Sequence, residues 1–163
     1  MDKSREKVTA MLKSHPLKKR RIEQLRYELS NPPAVSETEL LSSLSVGGAP
    51  LDAVPASGQI SDRTMLIAMR YGDTARRMNH EAKAQIAREL RELEHETGRL
   101  EHYISLLDEI QAQIIRLHYL DGKSWSDIQT ATELSEKTLI KRCKTGIDSL
   151  AEMYAFIEDL NSN

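Results

Sequence analysis

The chain has 163 residues, with 23 Lys and Arg against 25 Asp and Glu and a formal net charge of −2. Charged residues make up 29 % of it and aromatics only 4 %. That length allows one or two small domains around one modest core. The mixture suits an elongated helical protein rather than a sheet or a compact enzyme, and with so little net charge any affinity for nucleic acid has to come from local patches.

Charge is unevenly spread. Residues 1–30 carry nine Lys and Arg against four Asp and Glu, whereas residues 73–110 carry six against nine. In chain order, residues 2–13 form a short helix with a sparse apolar face of Val8, Met11 and Leu12. His15-Pro16 is expected to interrupt it, because proline disfavours helical geometry at the residue before it. Pro16 then opens a second helix to about Ser30, with Ile22, Leu25 and Leu29 on one side, and Asn31-Pro32-Pro33 ends it. Lys18, Lys19, Arg20 and Arg21 are the densest basic run. They read first as a solvated face or a charge partner for the acidic central helix, and second as a phosphate-contacting patch. Residues 31–60, rich in Pro, Gly, Ser and Ala, read as a linker.

Ser61 or Asp62 caps the next helix, with Met65, Leu66 and Met69 apolar; Tyr71-Gly72-Asp73 is either a break or a glycine tolerated within one long helix. From Thr74 the pattern is regular: Ile86, Leu90, Leu93, Thr97, Leu100, Ile104 and Leu107 follow four-three steps, the seam of a coiled coil. Ala75, Asn79 and Ala82 continue it backward. Such a narrow stripe needs a partner helix, either residues 16–30 or a second chain. Residues 16–30 offer only about two heptads, so a homodimer or higher assembly is expected.

Residues 107–150 then read as three helices joined by tight turns. Asp108 caps the first, with Gln111 at the capping-box position and Ile110, Ile114, Leu117 and Tyr119 as its apolar stripe. Asp121-Gly122 stops it. Ser124 caps a short second helix with Asp127 answering, and Trp125 and Ile128 point inward. Ser135 caps the third, whose apolar set is Leu139, Cys143, Ile147 and Leu150. This is a helix-turn-helix pattern. On the third helix Glu136, Lys137, Ile140, Lys141 and Lys144 are expected to face outward, and Arg142 adds a further cation. A capped, cationic helix end with long donors suits the major groove of DNA; the alternative is a solvated face. Ala151 to Leu160 continues helically, with Met153, Phe156, Ile157 and Leu160 expected to pack over the module. The sharper option there is docking of a partner such as RNA polymerase.

Catalytic chemistry is not visible. His95 and His102 lie too far apart for one metal, and there is no paired-Cys motif, Gly-rich phosphate loop or nucleophile elbow. No cofactor or metal is expected. Cys143, the only cysteine, rules out a disulfide within the chain and reads as a small core residue. No apolar run approaches a membrane span, and the start lacks the apolar centre of a signal peptide.

The residues SWSDI (124–128), SEKTL (135–139), Ile147 and Leu150 resemble the promoter-reading C-terminal domain of bacterial sigma factors, region four. The order of basic helix, loose segment, long charged helix and this module is similar to phage-encoded sigma-like activators of the RinA and ArpU type, over nearly the whole chain. Three positions depart from the pattern: Gln129 stands where a small Ala is usual, Thr132 where an apolar residue is usual, and Glu133 where Gly usually makes the turn. The resemblance implies activation of phage late genes from promoter DNA, in the cytoplasm of a bacterial host.

The expected architecture is therefore all-α. It comprises a basic N-terminal helical segment (1–30), a linker (31–60), a long coiled-coil-like helix (61–106) and a helix-turn-helix domain (107–163). Lys137 and Lys141 are expected to reach base edges or nearby phosphates, with Glu136 able to accept from a cytosine amine and Ile140 beside them. Arg142 and Lys144 are assigned to the backbone, and Ser124 and Trp125 to a phosphate at the start of the second helix. Ser135 caps the reading helix. Alternatives from other classes are a phage small terminase subunit on packaging-site DNA, which usually carries its DNA-binding module first, and a helical interaction protein that binds no DNA.

Overall fold

A computed structural model describes residues 2–31 and 62–161. Among them there are five helices and no strand: α1 (Asp2–Ser30), α2 (Asp62–Ser105), α3 (Glu109–Ile115), α4 (Trp125–Thr132) and α5 (Glu136–Asn161). Except for Asn31, the expected linker at 31–60 lies outside the described residues. Two compact units are present, Met1–Gln24 with Arg91–Asn163, and Leu25–Leu90. In the second unit α2 runs on through Gly72, and Leu25, Ala75 and Leu90 are buried.

The expected break at His15-Pro16 is absent, and α1 is one helix with Pro16 inside it. A proline there removes one hydrogen bond and crowds the carbonyl four residues back, costing about 3 kcal/mol. Against that, Val8, Leu12 and Ile22 are buried together with His15, and each such apolar side chain gains about 1.5–3 kcal/mol. Tertiary burial on both sides of Pro16 therefore outweighs the local preference. The covered face also begins earlier than expected, at Val8 rather than after Pro16.

Helix α1 lies on α2 in antiparallel fashion. His15 Nε2 is 2.8 Å from Glu101 Oε1, while Lys18, further along α1, reaches back along α2 to Glu96 Oε2 at 2.6 Å. Lys19 joins Glu101 at 3.1 Å. The seam residues Thr97, Leu100 and Ile104 are buried here, and Thr97 satisfies its hydroxyl by donating to the Leu93 carbonyl at 2.8 Å. Partial burial pushes the Glu101 carboxyl up, but the bonds from His15 and Lys19 more than offset it and hold the group below its ordinary range. The basic run at 18–21 thus supplies charge partners for the acidic helix at Lys18 and Lys19. Exposed pairs of this kind contribute little stability; they favour one register over its neighbours.

Past Ser105 the chain turns, and Asp108 caps α3 by accepting from the Gln111 amide at 3.0 Å. The helix widens into a π turn over Arg116–Leu120 and stops at Gly122, whose φ of +67° suits a residue without a Cβ. Ile114 and Ile115 are fully buried. Ile110 is not: it is exposed, and Gln111 and Ala112 take the inward positions beside them. The inward set is thus 111, 112, 114 and 115, shifted by one position from the stripe that Ile110 would start.

One apolar cluster runs from Val8 and Leu12 on α1 and Leu100 and Ile104 on α2, through Ile114, Ile115 and Ile128, to Leu139, Leu150 and Tyr154 on α5. Tyr154 sits edge-on to Tyr103 at 5.0 Å, with the Arg99 guanidinium 4.9 Å from its ring centre. At the far end of α5 the expected packing holds for Met153 but not for Phe156 and Leu160, which are 64 % and 59 % exposed. The inward positions are Leu150, Ala151 and Tyr154, and a helix of 3.6 residues per turn carries Phe156 and Leu160 away from them.

Where α5 crosses α3 the fit is close. A Cβ placed on Gly146 would lie 2.8 Å from Ile115 Cδ1 and 3.3 Å from Gln111 Cβ. Alanine in mid-helix is ordinarily favoured over glycine by about 1 kcal/mol. Because Ile115 is fully buried, overpacking wins here, and Gly146→Ala is expected to lower stability by about 1–2 kcal/mol in urea unfolding.

Candidate nucleic-acid interface

The module starts with a reciprocal cap. Ser124 Oγ accepts from the Asp127 amide at 3.2 Å, and Asp127 Oδ2 accepts from the Ser124 amide at 3.2 Å and its hydroxyl at 2.7 Å. The hydroxyl bond, then the amide bond, hold the Asp127 carboxyl below its usual range. Trp125 stacks on His118 with ring centres 4.0 Å apart and planes at 22°. His118 is oriented in turn by donating from Nδ1 to the Lys123 carbonyl at 3.2 Å. Ile128 is fully buried. Together these contacts seat the start of α4 against the preceding helix.

The turn into α5 accommodates two of the three departures from the sigma-factor pattern. Thr132 replaces an apolar residue but donates its hydroxyl to the Ile128 carbonyl at 2.7 Å, so it brings no unsatisfied group inward. Glu133 takes the left-handed conformation itself, at φ 57° and ψ 17°, which costs a residue with a side chain about 1–2 kcal/mol. Its amide closes the turn on the Gln129 carbonyl at 2.8 Å. Gln129 is half-buried. The chain therefore turns at Glu133 without a glycine. Ser135 then begins α5, accepting from the Leu139 amide through its carbonyl at 3.0 Å and from the Thr138 amide through Oγ at 3.4 Å.

Leu139, Cys143, Gly146 and Leu150 form the buried side of α5. At 100° per residue the opposite side belongs to Lys137, Lys141 and Lys144, with Ile140 at its edge. All four are exposed, Ile140 to 47 %, and so are Glu136 and Arg142 on the two flanks. The three lysines make a stripe roughly 10 Å long at 1.5 Å per residue. Among the described residues none of Lys137, Lys141, Arg142 and Lys144 forms an ion pair, whereas Arg5, Lys7, Lys18 and Lys19 of α1 do, with Asp148, Glu158, Glu96 and Glu101. Ser124 and Ser135 are exposed and Trp125 half-buried. The structure thus brings Lys137, Ile140, Lys141 and Lys144 together and puts Arg142 aside from them.

A cleft of about 260 Å³ lies beside this stripe, lined by Trp125, Ile140 and Lys144 and, across it, by Arg5 and Thr9 of α1. Sequence reasoning missed Arg5, Thr9 and His118. Arg5 and Thr9 stand far from the module along the chain, and no motif links them to it. Cys143 is 4 % exposed and burial pushes its thiol up to about 11. Among the described residues there is no group of His, Cys, Asp and Glu able to hold a metal ion, and no helix long and apolar enough to cross a membrane.

Two measurements check this local account. Glu133→Gly removes the strained side chain and is expected to raise stability by about 1 kcal/mol, read as a higher urea midpoint. Cys143 is expected to resist a thiol reagent at pH 8 and to react promptly once urea unfolds the chain; fast reaction in the native state would contradict its burial.

The family model described as "Protein of unknown function (DUF722)" matches residues 67–152, more than half of the chain. No curated protein and no solved structure matches.

Proposed function

We propose that this chain, which belongs to the DUF722 family, is a double-stranded-DNA-binding transcription regulator that lays the exposed side of α5 into the major groove. The observation that carries the reading is the stripe of Lys137, Lys141 and Lys144, exposed and without ion pairs among the described residues. Unneutralised cations on a rigid helix release counterions from phosphate when they bind, and their tips reach base edges. Ile140 adds an apolar contact of the kind a thymine methyl accepts. Glu136 is assigned to a cytosine amine, Arg142 to the backbone, and the capped start of α4 at Ser124 and Trp125 to one phosphate.

The likeness to sigma-like phage activators makes late-gene promoters the proposed target and the cytoplasm of a bacterial host the proposed location. RNA polymerase is the proposed protein partner, at the exposed Phe156 and Leu160. A homodimer belongs to the same reading, since the seam of the long helix is longer than residues 16–30 can cover and Ala82 on it is exposed. A ring-sized mass in solution scattering would favour a terminase-like assembly instead.

The test uses sites recovered by footprinting the protein across its host genome. Lys137→Ala and Lys141→Ala are each expected to weaken binding to those sites by about 1 kcal/mol or more, with helicity unchanged by circular dichroism. Wild-type affinity for both variants in gel shift would remove the reading helix from the interface. No binding by the wild-type protein even at low salt would leave an interaction protein without DNA.

A further inference from the structure

Helix α1 lies outside the helix-turn-helix, yet its outer side adjoins the reading stripe. Arg5 and Thr9 line the cleft beside Ile140 and Lys144. The same two residues line a shallow, open hollow on the surface of α1 itself, together with Glu6, Ala10 and Lys13. Positions 5, 9 and 13 are one turn apart and share a side of the helix. The two hollows share Arg5 and Thr9, so the residues from Lys144 to Lys13 form one track of adjoining surface.

The lining suits a phosphodiester backbone. Thr9 and Ala10 are small and let a chain approach closely, and Arg5, Thr9, Lys13 and Lys144 supply donors. Asp148 is already engaged by Arg5, which leaves Glu6 as the acid facing the track. Lys13 is exposed and forms no ion pair among the described residues, unlike Arg5, Lys7, Lys18 and Lys19. A helix seated in the major groove has a phosphate backbone on each side of it, and most protein–DNA hydrogen bonds go to that backbone.

We propose that the Arg5–Thr9–Lys13 side of α1 is a second DNA-contact surface, which holds one sugar-phosphate strand beside the groove read by α5. This rests on the DNA-binding reading of α5 and adds a contact outside the residues that resemble a sigma factor. Thr9 and Lys13 bind phosphate directly; Arg5, tied to Asp148, shapes the wall between the two helices. These contacts carry no sequence preference, so they add affinity to every duplex alike.

The experiment measures anisotropy of a labelled mixed-sequence duplex about three helical turns long, across a salt series, with the full chain. Lys13→Ala is expected to weaken binding severalfold and to flatten the slope of log affinity against log salt by about 1. Glu6→Gln is expected to tighten binding. Lys83→Ala, which removes the same charge from an exposed position on α2, is expected to leave the slope unchanged. All three positions are exposed, so circular dichroism should report an intact fold throughout. If Lys13→Ala behaves like Lys83→Ala while Lys137→Ala still loses affinity, the α1 surface is overturned and the α5 reading stands. If Lys137→Ala and Lys141→Ala also match the wild type, or the wild type does not bind, both fall.

Discussion

The seating of α5 on α3 is the constraint from which the candidate interface follows. Leu139, Cys143, Gly146 and Leu150 are buried along one side of the helix, and the approach at Gly146 is so close that even a methyl group would meet Ile115. A rigid helix whose one side is held this tightly cannot roll. Lys137, Ile140, Lys141 and Lys144 are then committed to solvent by geometry alone, whatever their own preferences. Their long side chains lose little by being exposed, and three lysines against the one flanking acid Glu136 leave a local positive field on a protein whose net charge is −2.

That seating extends beyond the three-helix module. Val8 and Leu12 of α1 and Leu100 and Ile104 of α2 belong to the same buried cluster as Ile128, Leu139 and Leu150. A module of this size has little core of its own, and small domains bury too small a fraction of their surface to be robust. Adding the end of one helix and the start of another enlarges the apolar volume, and it brings Arg5 and Thr9 to the edge of the cationic stripe. Packing and the shape of the candidate interface are thus consequences of one arrangement. The polar pairs His15–Glu101 and Lys18–Glu96 hold α1 in register on α2 without driving the association.

Local rules are broken at two places. Pro16 sits inside α1 where it weakens the helix, and Glu133 occupies a left-handed turn that glycine would fill without strain. In the first case burial of Val8, Leu12 and Ile22 offsets the loss. In the second, the amide bond to Gln129 and the cap at Ser135 hold the turn, and Thr132 closes on Ile128. Sequences tend to depart from local consistency near functional or strained sites, and Glu133 lies immediately before the exposed helix.

Much of the candidate site was legible along the chain because its signals are short-range. Ser124 with Asp127, Gly122 after the π turn, and Ser135 before the spaced set Leu139, Cys143 and Leu150 each act within one or two helical turns. Caps and periodicity of that kind determine where helices begin and which side is apolar. What they leave open is decided by contacts between distant residues. Whether α1 breaks at Pro16, whether Ile110 or Ala112 turns inward, and whether Phe156 is covered all depend on which surface is available to bury each side chain. The place of α1 beside α5 depends on that as well, because burial is a property of the assembled core and has no signature within a single turn of the chain.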